Sequence, residues 1–170
     1  GWMSPARAGT TTVTLSAGSV RATVNGRATT MLVPPVIDGP SQQMLVPIGF
    51  MGRQFGYAVC AVQQGLGLQL TRGQDFLVVS VGNRDVRLGS GILGLAVPPK
   101  GLLGEVLVAV SDVQVLLHLQ VTPGANGAMM FSETIPDREV DGAIDADAVT
   151  YETRREQVYM QTVDFDIVRI

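Results

Sequence analysis

A chain of 170 residues, 46% hydrophobic and 16% charged with a net charge of −3, has the length to bury a core and the composition to stay ordered. One histidine (His118) and one cysteine (Cys60) are too few for a zinc or copper centre, and a lone cysteine excludes an internal disulfide. Residues 1–132 carry eight Lys and Arg against five acids, and residues 133–170 four Arg against ten acids, so no basic cluster invites nucleic acid.

The elements follow from local chemistry. Thr10–Leu15 (TTTVTL) is rich in β-branched residues and reads as a strand. Val20–Val24 and Thr29–Val33 form a hairpin around Asn25-Gly26, a pair that tolerates the positive φ of a type I′ turn. Pro34-Pro35 ends it, because neither residue donates to a ladder. Met44-Leu45-Val46 is a short strand, and Pro47 opens a helix over Ile48–Phe55, where its missing N–H costs nothing. Ile48, Met51 and Phe55 share one face of that helix, and Gly56 stops it. Tyr57–Val62, Leu66–Thr71 and Phe76–Val81 read as strands between glycine turns. No apolar run is long enough for a membrane-spanning helix. The start, Gly1-Trp2-Met3-Ser4-Pro5, has no signal-peptide pattern, so such a segment is either absent or already removed.

The series then recurs. Val33-Pro34-Pro35 matches Val97-Pro98-Pro99 at an offset of 64, as Gly18 matches Gly82. Leu45-Val46 matches Leu107-Val108 at an offset of 62, as Phe55 and Val59 match Leu117 and Val121. Residues 20–59 and 84–121 are therefore expected to superpose, with a second helix over Val110–Leu117 capped by Ser111 or Asp112.

The ordered set resembles the copper amine oxidase N-terminal-domain-like family, a stalk domain of bacterial surface proteins. The residues that carry the resemblance are Val24-Asn25-Gly26, Leu32-Val33-Pro34-Pro35, Asp38-Gly39, Leu45-Val46-Pro47-Ile48 and Phe55-Gly56-Tyr57-Ala58-Val59. Leu95-Ala96-Val97-Pro98-Pro99 and Leu107-Val108 carry it into a second copy, so the likeness spans about residues 10–124. Gly49 stands where the family usually has Arg, Cys60-Ala61 where it ends in Val-x-Trp, and the second copy lacks the Pro and the Arg; the chain reads as a divergent member. The resemblance implies an antiparallel sheet wrapped around a short helix. It implies no oxidase chemistry, since in the parent enzymes this domain is remote from the copper and the quinone.

The residues offer few candidates for catalysis. His118 sits in an apolar run with no assigned nucleophile, which favours a structural role past a helix end. Cys60 reads as a small buried hydrophobe on a strand. Gly65-Leu66-Gly67 and Gly89-Ser90-Gly91 lack the strand-to-helix context of a phosphate loop and read as hairpin turns. The sharpest motif is a calcium-loop register in which Asp137, Glu139, Asp141 and Asp145 supply acidic positions and Gly142 the sharp turn. Ala148 stands where the bidentate carboxylate belongs, so the favoured reading is a solvated acidic connection without a cofactor. Beyond it, Val149–Thr153 and Gln157–Ile170 read as a hairpin, with Val163, Phe165 and Ile167 on one side and Asp164 and Asp166 on the other.

Taken together, the sequence predicts an α+β, mainly antiparallel β-sheet protein with two short helices. A stalk-like domain over residues 10–124 comprises two strand–helix–strand repeats, about 10–73 and 74–124; residues 125–170 form an acidic loop and a C-terminal β-hairpin packed on it. The expected function is a non-catalytic extracellular or cell-envelope module that binds a protein or cell-wall component, or spaces other domains. Protein is favoured over glycan because exposed aromatics for stacking are scarce. The alternative is a calcium-stabilised adhesion or assembly subunit that forms a homo-oligomer through its terminal strands.

Overall fold

The computed structural model describes residues 10–89 and 91–134. Along the chain run β1 (Thr10–Leu15), β2 (Arg21–Val24), β3 (Arg27–Thr30), β4 (Val36–Ile37), β5 (Met44–Pro47) and the helix α1 (Ile48–Gln54). There follow β6 (Ala58–Val62), β7 (Gly67–Arg72), β8 (Asp75–Ser80), β9 (Asp85–Leu88), β10 (Gly91–Gly94), β11 (Lys100–Leu102) and β12 (Glu105–Ala109). The helix α2 (Val110–Leu117), β13 (Gln120–Pro123) and β14 (Met129–Thr134) complete the described part.

Three antiparallel sheets result. Two are five-stranded, ordered β13-β14-β1-β2-β3 and β10-β9-β8-β7-β6, and one is four-stranded, ordered β11-β12-β5-β4. Two sheets join strands distant in sequence, with Val13 of β1 facing Phe131 of β14 and Val46 of β5 facing Val108 of β12; the third, β6 to β10, is a meander of consecutive strands in which Leu70 of β7 faces Leu77 of β8. Strand β14, paired on both sides in its sheet, falls in the stretch that the sequence reading groups with the C-terminal segment. Its six residues, MMFSET, carry no β-branched run and only one buried hydrophobe, Phe131, to give it away.

Local chemistry explains the turns. Asn25 and Gly26 both take positive φ, 52° and 83°, as the β2–β3 hairpin requires. Asn25 also accepts the Thr12 N–H through Oδ1, at 2.8 Å, tying the turn to β1. Helix α1 ends where Gly56 adopts φ 89°, and Pro47 is its N-cap, one residue before the first helical position.

The four-stranded sheet has two apolar faces. Val46, Val106 and Val108 join the main core, with Val13, Leu70, Leu77, Met51, Leu117 and Phe131. Leu45, Leu107 and Ala109 face the other way and meet Val33 and Val97, the valines that open the two Pro-Pro motifs. Strands β5 and β12 are therefore near-continuous apolar runs, the pattern of strands covered on both sides. The Pro-Pro segments are the cover. The carbonyls of Pro35 and Pro99 accept the N–H groups of Gly18 and Gly82, at 2.7 and 2.8 Å, which fastens each segment to the turn before the preceding hairpin.

Candidate functional site

The polar side chains inside the fold are spent on architecture. Glu105, at the start of β12, is 9% exposed. Its Oε1 accepts the N–H groups of Gly49 and Val106, at 2.8 and 2.9 Å, and its Oε2 accepts that of Phe50 at 3.0 Å. A carboxylate from β12 thus satisfies the first free amides of α1, which has no cap from its own neighbouring side chains. Gly49 makes this possible: a Cβ there would stand 2.7 Å from Glu105 Oε1. The space that a side chain at position 49 would need holds a buried carboxylate.

Helix α2 is started differently from the sequence expectation. Its N-cap is Ala109, without a side-chain cap bond, and both predicted caps lie inside the helix. Asp112 instead accepts the N–H groups of Ala96, at 3.0 Å, and Val97, at 3.3 Å, pinning the segment that leads into Pro98-Pro99. Ser111 Oγ donates to Gln43 Oε1 at 3.2 Å. Tertiary acceptors and donors outcompete the local cap, because Asp112 and Val97 are both buried, where a carboxylate or an amide without a partner is costly.

Asp38 closes the β4–β5 turn. It accepts Ser41 Oγ–H at 2.6 Å and Ser41 N–H at 3.0 Å, and its other oxygen lies 2.8 Å from Lys100 Nζ on β11. Hydrogen bonds from the Lys100 ammonium and from Ser41 hold the Asp38 carboxyl down at about 2.

The densest cluster surrounds Arg72 at the end of β7, and nothing in the sequence singles it out. Arg72 Nη1 donates to Glu133 Oε1 and to the Phe55 carbonyl, both at 2.8 Å; Nη2 lies 3.4 Å from Asp75 Oδ2. The guanidinium carbon sits 4.4 Å from the Tyr57 ring centre, and Tyr57 Oη lies 3.5 Å from Asp75 Oδ2. Burial opposes the charge. The Glu133 bond and the fields of Tyr57, Glu133 and Asp75 outweigh it and hold the guanidinium above its ordinary pKa. An arginine so committed is a clamp between β7, β14 and the loop after α1. The only advance signal was an Arg three residues before an Asp across a glycine turn, too common to read.

The sequence candidates fall apart spatially or lie elsewhere. His118 ends α2 as its C-cap, in the left-handed region with φ 58°. Cys60 lies on β6 as expected but is exposed, not buried, because β6 is an edge strand whose outer side faces away from the core. Gly65 and Gly89 take positive φ in turns between strands, as predicted. Asp137, Glu139, Asp141, Asp145 and the C-terminal hairpin lie outside the described residues. Among the described residues, no group of three or more His, Cys, Asp or Glu could hold a metal ion.

With a Val-Asn-Gly hairpin, a Val-Pro-Pro cover and a Leu-Val strand leading into a short helix, the first part of the chain has a recognisable order. Residues 4–64 match the copper amine oxidase N-terminal domain. The copper amine oxidase N-terminal domain is a non-catalytic module found in bacterial surface proteins. The match covers the Asn25-Gly26 turn, Pro34-Pro35, β5, α1 and β6, the elements on which the sequence resemblance rests, and ends before β7. No curated protein and no solved structure matches the chain. No helix among the described residues is long and apolar enough to cross a membrane.

Proposed function

We propose that this chain is a rigid, non-catalytic module of the cell envelope that spaces and docks proteins. In this reading it is built from two copies of one strand–helix–strand unit, with residues 149–170 packed on the body. The observation that carries it is the correspondence of pairings. The β2–β3 pair Arg21 with Thr30 has its counterpart in the β9–β10 pair Asp85 with Gly94, at the offset that relates the Pro-Pro motifs. The pair of Val46 with Val108 joins equivalent positions to each other, with Leu45 facing Ala109 and Pro47 facing Leu107 on either side. That is the pattern of a local two-fold axis between the valines. Each five-stranded sheet then combines the first three strands of one unit with the last two of the other. Two units that exchange strands in this way make one inextensible body, which suits a spacer.

The side chains favour the same reading. Glu105, Asp112 and Asp38 are committed to backbone amides or to Lys100, so none is poised as an acid or base. Protease shaving of intact source cells tests the location. Peptides of this chain are expected among those released; recovery only from the cytosolic fraction overturns the envelope reading.

A further inference from the structure

We propose that β6, an outer strand of the β6–β10 sheet, pairs antiparallel with β6 of a second copy of this chain, about a two-fold axis at Cys60. The proposal goes beyond the envelope reading and does not depend on it.

The three sheets end in six outer strands, β3, β4, β6, β10, β11 and β13. An outer strand offers a row of backbone donors and acceptors to any other chain, and folded proteins guard such rows with charge, proline or shortness. Strand β4 is two residues long, β3 begins with Arg27, β11 carries Lys100 and β13 ends in Pro123. Strand β10 is four residues closed by glycine at both ends, which weakens it. Strand β6 reads Ala-Val-Cys-Ala-Val, five residues with no charge, no proline and no glycine. The contrast with β13 is the sharpest. At the offset of 62 that relates Val59 to Val121, Pro123 stands in the place of Ala61. The same edge is thus blocked in one five-stranded sheet and open in the other.

Exposure agrees. Ala58, Cys60 and Ala61 are exposed, and among the described residues β6 pairs with β7 alone. Across that ladder Val59 faces Leu70 and Ala61 faces Leu68, and both leucines belong to the main core. Val59 and Ala61 therefore lie on the core side of the sheet, where the small Ala61 leaves the rim of the core open to solvent. Ala58, Cys60 and Val62 take the other side.

The strand's own sequence supplies the cover. Turned about Cys60, β6 sets Val59 of each copy against Ala61 of the other, so a large side chain meets a small one on both sides of the axis. On the opposite side of the sheet Ala58 meets Val62, Cys60 meets its own copy, and no charge meets its like. A strand of another protein would have to bring that complement, whereas a second copy carries it already. With one unguarded edge among the described strands, the assembly is isologous and closes at two chains. Five residues a side bury little area, so the dimer belongs to the weak, transient class.

Analytical ultracentrifugation of the full chain under reductant, over a concentration series up to millimolar, tests this through a charge exchange at position 60. Opposite residues of an antiparallel pair lie about 4.5–5.5 Å apart at Cα, so side chains at position 60 meet directly across the axis. The wild type is expected to run as a monomer–dimer equilibrium. Cys60→Lys and Cys60→Glu change an exposed position, and each is expected to weaken the dimer by roughly fivefold through like charges in contact. An equimolar mixture of the two variants is expected to regain the wild-type affinity, because Lys then faces Glu. A monomer throughout the series overturns the proposal, as do species larger than a dimer, a dimer indifferent to both substitutions, or a mixture no tighter than its parts. Cell shaving reads location alone, so this proposal and the envelope reading fail separately.

Discussion

Gly49 is the second residue of a seven-residue helix, a place where alanine would ordinarily add stability by up to about 1 kcal/mol. Here the sign reverses. The added Cβ would press on Glu105 Oε1, the oxygen that accepts both Gly49 N–H and Val106 N–H, and would stand 3.1 Å from Leu68 Cδ1. The carboxylate is the far end of a side chain, but it is buried and holds three amides, so moving it leaves donors unpaired. Gly49→Ala is therefore expected to destabilise the protein by about 1–3 kcal/mol in urea unfolding. In a Glu105→Ala background the same substitution loses its clash with the carboxylate, keeps only the 3.1 Å approach to Leu68 Cδ1, and is expected to cost less than in the wild type. A double-mutant cycle with no coupling between positions 49 and 105 would contradict this account.

At the scale of an element, the β4–β5 turn is held by a carboxylate whose charge is protected. Asp38 ordinarily titrates near 3.8, and the bonds from Lys100 and Ser41 lower it to about 2. A group depressed in the folded state contributes stability that is whole above its unfolded pKa and is lost as pH falls through the folded one. The stability gap between the wild type and Asp38→Asn is thus expected to be constant above pH 4 and to close between pH 4 and pH 2. Thermal melts across that range check it; a gap that persists at pH 2 would place the contribution elsewhere. This turn also shows what the sequence made legible. Asn25-Gly26, Pro34-Pro35, Gly56 and the Leu-Val pairs announce their roles because each depends on backbone chemistry local to the residue. Cys60, the caps of α2 and strand β14 were not legible, since each is decided by a remote neighbour. The edge position of β6 exposes Cys60, the 96–97 amides draw off Asp112, and β1 supplies the partner of β14. The Arg72 clamp belongs with them, because Glu133 lies far along the chain and is brought to Arg72 by the packing of β14 beside β7.

The whole molecule is tied by pairings between its distant parts. Strands β1 and β14 align over six positions and β5 and β12 over three. The main core takes side chains from both five-stranded sheets and both helices. Each five-stranded sheet takes strands from both halves of the chain and the four-stranded sheet pairs β5 with β12, so neither half keeps its sheets without the other. Unfolding among the described residues is accordingly expected to be one cooperative transition. Amide exchange gives the decisive reading: the core amides of Val13, Val46, Leu70 and Val108 should share one opening free energy and one dependence on urea. A separate, lower-energy opening of β8–β10, with β1–β3 still protected, would mean that the two halves are independent units in contact and would remove the exchanged-strand architecture from the account. Pairings this remote must also close large loops before they gain anything, so refolding is expected on the millisecond-to-second scale of all-β topologies, not on the microsecond scale of helical bundles. Stopped-flow fluorescence of the full chain measures that rate, and a microsecond phase that recovers the whole native signal would contradict the closure of these long loops as the limiting step.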